Sequence, residues 1–421
     1  MSDLERGAIV LGNNLSVVHE LGRKGIDCTV MVHNRPPSTY SRFAKYVRCV
    51  NPALHEDRAI EFLYDRCQKM ADRPVVIPVS DQWVMALSRH RDRMGEVCAP
   101  CVAGRQAAER LMDKRAFCRL GQERGYMAPR CWTHEDVADV KDEVFPIVAK
   151  PRLHRWSSNE DQRVLQRQML RLRFTVLRNR VELNGFLSRE ERWLDHLFFQ
   201  EYVRGPSSNL YDFGAYIDRS GKVLASVSGH KIRGCLSNHG DCNLGESCVL
   251  PEKLVSNVMR IIHEQGITGL VEFEYKQDAD SGEFKLIEVN PRAWAWCGLA
   301  PACGADLPLI AYQDLTGSYD PAAVVPFKGT VRYVRLFYDL PNCLIYSRRN
   351  NPEWKRSLGQ WRNDIKADRV VFEELGSGDW LVTVIQATEA LQTLVGRSLR
   401  HLSRKNAPSS RDGPLADEDR S

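Results

Sequence analysis

The residues whose type and spacing suit them to chemistry lie in the second half of the chain. Two alternating stretches, Leu270-Val271-Glu272-Phe273-Glu274-Tyr275 and Phe284-Lys285-Leu286-Ile287-Glu288-Val289-Asn290, flank a turn-rich gap at 276–282. That is the pattern of two strands. Side chains alternate faces along a strand, so Asn290 shares the face of Glu288. Pairing the strands gathers Glu274, Glu288 and Asn290. Three hard oxygen donors of this kind suit Mg2+, or Mn2+ in its place, with positions left open for phosphate oxygens and water. An ordinary hairpin with a solvated acidic face would alternate in the same way. The continuation through Pro291 and Arg292 favours the ion: proline ends the ladder and leaves the guanidinium projecting beside the carboxylates.

A second constellation, Cys235, His239, Cys242 and Cys248, offers four soft ligands at a spacing that matches no familiar zinc finger. It reads either as a structural Zn2+ site or as a cysteine-rich loop that shapes a substrate. The first apolar run ends in Gly12-Asn13-Asn14, without the glycine fingerprint of a dinucleotide fold, and the next ends at His33-Asn34 without an acid. A nicotinamide or flavin site is therefore not expected there. The chain also has no serine nucleophile elbow and no Walker loop.

The elements that must position these residues follow from periodicity. Residues 8–11, 15–24 and 28–32 predict a βαβ unit, and a run at 75–79 with a helix over 83–94 extends it to a small parallel α/β domain. A single helix over 107–124 and a strand over 146–151 follow. Residues 160–195 read as a charged, mostly helical lid with arginines at 163, 167, 171, 173, 178 and 180. Without an aromatic series this is a solvated face and not an RNA-binding helix. Strands over 198–203, 213–218 and 223–228 read as one antiparallel sheet, followed by the helix Glu252–Gln265 and the acidic strands. Beyond a helix at 309–315, strands are expected near 330–338 and 370–384, then a helix to about 402 and a polar, disordered tail.

Composition sets the class. The 421 residues carry 59 Lys or Arg against 54 Asp or Glu, a net charge of +5, with 43% hydrophobic residues. This is an ordinary globular balance that calls for neither nucleic acid nor a membrane. Thirteen irregularly spaced cysteines read as reduced thiols. Acids precede the first apolar run, which is too short for a signal or a spanning helix, so a cytoplasmic protein is expected.

Taken in order, these features resemble the ATP-grasp superfamily over roughly residues 8–320. The likeness rests on the collinear series of an α/β unit, Asp113-Lys114, the strand lysine Lys150, Gln200-Glu201-Tyr202-Val203, a strand pair ending Lys231-Ile232-Arg233, and the acidic strands closing on Asn290-Pro291-Arg292. The run GADLPLIAYQDLTG at 304–317 makes the chain most similar to the carboxylate-amine ligase group of D-aspartate ligase type. The resemblance implies α/β plus α+β architecture: an N-terminal small parallel α/β domain over 1–106 and a two-lobed ATP-grasp fold over 107–320. A C-terminal α+β extension over 321–402 and a tail over 403–421 complete the chain.

It also implies roles. Lys114 and Lys150 match the lysines on the nucleotide phosphates, and Gln200, Glu201, Tyr202 and Val203 match the hinge that reads adenine. Glu274, Glu288 and Asn290 match the Mg2+ ligands, with Glu272 the less favoured neighbour. Arg292 and Arg233 match the groups that hold the transferred phosphoryl and the substrate carboxylate, and Lys231 is a further phosphate-side candidate. The implied reaction joins a small-molecule carboxylate to an amine through an acyl phosphate, with ATP as phosphoryl donor; a homo-oligomer is compatible with it. One departure stands out. The stretch after Lys150 lacks the superfamily's glycine-rich flap, leaving Arg152, Arg155 and the backbone of Ser157-Ser158 to close on the phosphates. The missing flap keeps a catalytically silent ATP-binding scaffold in view; a carboxylase or nucleotide-synthesis type of ATP-grasp enzyme, which would need a differently built site, is the other alternative.

Overall fold

The computed structural model describes residues 7–153, 160–234, 241–345, 352–375 and 378–405. Three sheets run through them. Strands β1 (Ala8–Leu11), β2 (Cys28–Val32), β3 (Ala44–Arg48), β4 (Val75–Pro78) and β5 (Ala99–Pro100) form a parallel sheet in the order β3-β2-β1-β4-β5. Strands β6 (Cys131–Trp132), β7 (Ile147–Pro151), β8 (Thr175–Leu177) and β9 (Leu197–Glu201) form an antiparallel sheet ordered β6-β9-β7-β8. The third sheet contains β10 (Leu210–Ile217), β11 (Val223–Gly234), β12 (Cys242–Ser247), β13 (Gly269–Gln277), β14 (Phe284–Asn290), β15 (Val331–Val334) and β16 (Arg369–Phe372). Its order is β14-β13-β10-β11-β12-β15-β16, antiparallel except for the last pair.

The continuous apolar run of β1 is explained by burial on both faces: Ala8 and Val10 enter one core cluster, Ile9 and Leu11 another. The order of the parallel sheet reverses between β1 and β4, which opens a crevice at their carboxyl ends. The Gly12-Asn13-Asn14 turn, which lacks a dinucleotide fingerprint, has a structural task. Asn14 caps the helix Leu15–Arg23, accepting from Val17 N at 3.2 Å, and its amide donates to the carbonyl of Trp294 at 3.0 Å. The loop after β14 is thereby fastened to the N-terminal sheet. Trp294 and Trp296 pack closely against the third sheet because glycines clear the way. A Cβ at Gly214 would fall 2.0 Å from the Trp294 ring, and one at Gly245 2.4 Å from the Trp296 ring.

Several elements differ from expectation. The helix expected over 107–124 breaks at Asp113 into Arg105–Met112 and Lys114–Arg124, because the Asp113 carboxylate caps the second helix through Ala116 N at 3.0 Å. The charged stretch 160–195 contains β8, a three-residue strand too short to show a period, which lines up on β7. β9 does not join β10 and β11 but belongs to the four-stranded sheet. Residues from Trp380 onward are helical up to Lys405, and 406–421 lie outside the described residues. β15 and β16 extend the sheet that carries the acidic strands, so the C-terminal extension shares that sheet.

Gly214→Ala is expected to destabilise the fold by about 1–3 kcal/mol, the usual cost of overpacking. The urea midpoint should fall at unchanged m value; an unchanged midpoint would show that Trp294 is not held against the strand.

Candidate active site

Strand register builds the site in two adjacent rows. Asp212 on β10 stands opposite Glu274 on β13, which stands opposite Glu288 on β14. The next row is Gly214, Glu272 and Asn290. Directly opposed residues share a face, so four carboxylates and one amide crowd together where like charges repel. Lysines relieve part of this repulsion: Lys231 Nζ on β11 pairs with Glu274, and Lys114 Nζ reaches Glu288 at 3.1 Å. Glu272 accepts from Asn290 Nδ2 at 3.0 Å. Asp212 is 2% exposed, and neither of its carboxylate oxygens has a hydrogen-bond partner.

The electrostatics follow from this crowding. Burial, opposed in part by Lys231 and reinforced by Glu274, pushes Asp212 up to about 7. Burial together with Asp212 and Glu274 raises Glu272 well above the carboxylate range. Burial works against the charge of Lys231, but Glu274, Asp212 and Glu272 outweigh it and hold the ammonium protonated. Among the described residues no three acid, histidine or cysteine side chains already converge on one point, since Glu274 and Glu288 are each drawn to a lysine. The donor chemistry nonetheless fits a hard divalent cation: oxygen ligands on one face and an orphaned buried carboxylate behind them.

The second sheet brings further positive charge toward the acidic rows. Asp113 holds Arg152 through Nε at 2.7 Å, and Lys114 N donates to Arg152 O at 3.0 Å. These bonds tie the start of the helix Lys114–Arg124 to the end of β7 and bring Lys114 near Lys150. Lys150 Nζ donates to Gln200 Oε1 at 2.8 Å and lies 5.4 Å from the Phe174 ring centroid. Burial, then the neighbouring Lys114, lowers Lys150 to about 8. The Glu201 carboxylate is engaged by Arg130, accepting from its backbone N–H at 3.0 Å. Tyr202 contacts Phe174 and stands 5.4 Å from the ammonium of Lys276, and Val203 is buried.

Arg292 projects from the end of β14 as expected, and its Nε pairs with Asp81. Arg233 requires correction. Its guanidinium turns to Asp339, with Nε and Nη2 donating at 2.9 and 2.7 Å, and to Asp364, with Nη1 donating at 2.6 Å. At 1% exposed it has no free donor face for a substrate. The register of β11 against β12 shifts between Lys231 and Arg233, so simple alternation does not carry the two cations to one site. Of the soft-ligand constellation, Cys242 is buried in β12 and Cys248 is partly buried; Cys235 and His239 lie outside the described residues, as do Arg155, Ser157 and Ser158.

A cavity of about 510 Å³ runs from the acidic rows to the carboxyl ends of the parallel strands, lined by Lys231, Glu274, Glu288, Asn290 and Arg292 on one side and by His33, Asn51 and Asp81 on the other. Sequence reasoning missed Asp212, Lys276 and Asp81. A lone acid inside the apolar run of β10 was a visible signal for Asp212. Asp81 follows directly on β4 at the sheet's switch point, which was a signal of position.

No protein-family model matches the chain. It is 22% identical over 271 residues to a D-aspartate ligase of Enterococcus faecium, a stretch covering 60% of this chain and 62% of that one. The chain thus spans less than two thirds of that relative's length. Among solved structures it resembles the biotin carboxylase domain of a 2-oxoglutarate carboxylase of Hydrogenobacter thermophilus, crystallised with the magnesium salt of ADP and with bicarbonate. The TM-score is 0.56 at 15% identity, covering 77% of this chain and 73% of that one. It also resembles an L-amino acid ligase of Bacillus licheniformis, with TM-score 0.55 at 14% identity, covering 77% and 78%.

The depressed lysine makes a pH prediction. Below about pH 8 Lys150 is an ammonium, and above it any attraction it would offer a phosphate is lost. ATP affinity is expected to stay level up to about pH 7 and then to weaken with a slope approaching tenfold per pH unit, whereas Lys150→Met removes the slope. Fluorescence titration with an ATP analogue checks this; a wild-type affinity flat to pH 10 contradicts it.

Proposed function

Proceeding from the ATP-grasp fold that this chain carries, we propose that it is an ATP-dependent carbon–nitrogen ligase that joins a small-molecule carboxylate to an amine. The supporting observation is the paired set of walls: acidic rows with an orphaned Asp212 on one sheet, Lys114 and Lys150 facing them from the other side. Two named relatives are ligases of amino acids, so an amino-acid carboxylate is the first acid to try.

Glu274, Glu288 and Asn290 would hold Mg2+, or Mn2+, and the ion would neutralise charge on the nucleotide phosphates. Lys114 and Lys231 would exchange their present carboxylate partners for phosphate oxygens, and Lys150 would exchange Gln200. The Glu201 backbone N–H already donates to Arg130 O within the sheet, so the adenine edge would be read by the backbone of Tyr202 and Val203, beyond the end of β9. A carboxylate oxygen of the acid attacks the γ-phosphorus, the bond to the β–γ bridging oxygen breaks, and ADP leaves. Arg292 faces this end of the cavity and stabilises the charge on the transferring oxygens. The amine then attacks the acyl carbon, phosphate departs, and the amine loses a proton as the amide forms. Enclosure between the sheets keeps water from the acyl phosphate. Arg233 takes no part.

No helix among the described residues is long and apolar enough to cross a membrane. A cytoplasmic setting accords with twelve free thiols among the described residues.

Glu288→Gln is expected to lower ADP release with paired amino acids and amines by at least about 100-fold, with nucleotide still bound. Full turnover by this variant defeats the metal assignment. Nucleotide binding without ADP release by the wild-type protein, across a broad panel of acids and amines, returns a nucleotide-binding protein instead.

A further inference from the structure

We propose that Asp81 is a positioning residue for phosphoryl transfer: its carboxylate, delivered by the N-terminal parallel sheet, fixes the guanidinium of Arg292 at the γ-phosphate end of the cavity. This rests on the ligase reading above and adds a role for a domain that reading does not use.

Asp81 opens the helix Asp81–Arg89 directly after β4, at the carboxyl edge where the strand order reverses. A carboxylate in a first helical turn ordinarily serves its own helix. This one pairs with the Nε of an arginine 211 residues away in sequence. One N–H on each terminal nitrogen of Arg292 is also placed. Nη1 donates to the carbonyl of Ala293 at 3.1 Å and Nη2 to Asn290 Oδ1 at 3.3 Å, and the backbone N–H donates to Asn290 O at 2.8 Å. Asn290 Nδ2 donates in turn to Glu272. A continuous series of hydrogen bonds therefore runs from the N-terminal sheet through Arg292 to the acidic rows.

The alternative to this series is a long, flexible side chain with several rotatable bonds swinging in an open cavity. With side chains 12% and 19% exposed, the Asp81–Arg292 pair is shielded from most of the screening that weakens surface pairs. Both residues line the cavity that also holds Glu274 and Asn290. The guanidinium is thus held at the cavity wall before nucleotide arrives, and pre-organisation of that kind strengthens its grip on the γ-phosphate of bound ATP, a group that ADP lacks.

The test is a double-mutant cycle in the full-length protein, using Asp81→Asn, Arg292→Gln and the pair together. Affinities for mant-ATP and mant-ADP are measured in Mg2+, with melting temperatures. Each single variant is expected to weaken mant-ATP about tenfold and mant-ADP less than twofold, with the double variant no weaker than Arg292→Gln. Asp81→Glu should recover part of the loss. A merely structural Asp81 would lower both affinities and the melting temperature together, and overturns the proposal. So do multiplicative losses in the double variant, or an unchanged Asp81→Asn. If the wild-type protein binds neither analogue, the ligase reading itself falls and takes the proposal with it; binding by the wild type with multiplicative losses removes the proposal alone.

Discussion

Like charge held together on neighbouring strands is the constraint around which this chain is built. Asp212, Glu274 and Glu288 form one row across β10, β13 and β14, with Glu272 in the row beside them. Directly opposed carboxylates destabilise a sheet, and burying an unpaired one costs more. Asp212 bears that cost with two unpartnered oxygens. A sheet serving only as scaffold would be more stable with apolar residues at these positions, which accords with the proposed role of the rows as a cation site.

The rest of the molecule brings positive charge to this face from separate directions. Lys231 comes from β11 within the same sheet, Lys114 from the helix that Asp113 caps, and Lys150 from the second sheet. Arg292 arrives on the loop that Asn14 and Asp81 fasten to the N-terminal sheet. Glycines at 214, 229 and 245 let the Trp294 and Trp296 rings lie close to the strands. The C-terminal helices take up Arg233, whose twin partners Asp339 and Asp364 bury it beside Trp361. Removing one member of such a buried group would leave an uncompensated charge, so the cluster has a structural task without any substrate.

The acidic strands were legible because alternation is a local signal, and the end of β14 because proline is one too. The helix Glu252–Gln265 agreed to the residue for the same reason: its apolar spacing and its glycine stop are both written locally. What failed was non-local. Nothing in the 198–201 run says whether it pairs with β7 or with β10, so alternation alone does not place β9 in its sheet. The partners of Arg233 sit more than a hundred residues away in a region of weak periodicity, and the register shift that turns it aside leaves no mark in residue types. Asp81 was hidden differently: its position at the switch point was visible, but its partner became apparent only once two sheets were set side by side.

The most direct measurement is anomalous diffraction from crystals grown with Mn2+ and a non-hydrolysable ATP analogue. A peak bound by Glu274, Glu288 and Asn290, with a phosphate oxygen in its shell and Lys114 and Lys231 turned from the carboxylates to the phosphates, is the expected map. Nucleotide bound elsewhere, or a metal that leaves those two lysine–glutamate pairs intact, would contradict the central claim that the acidic rows are kept for a phosphate-bound cation.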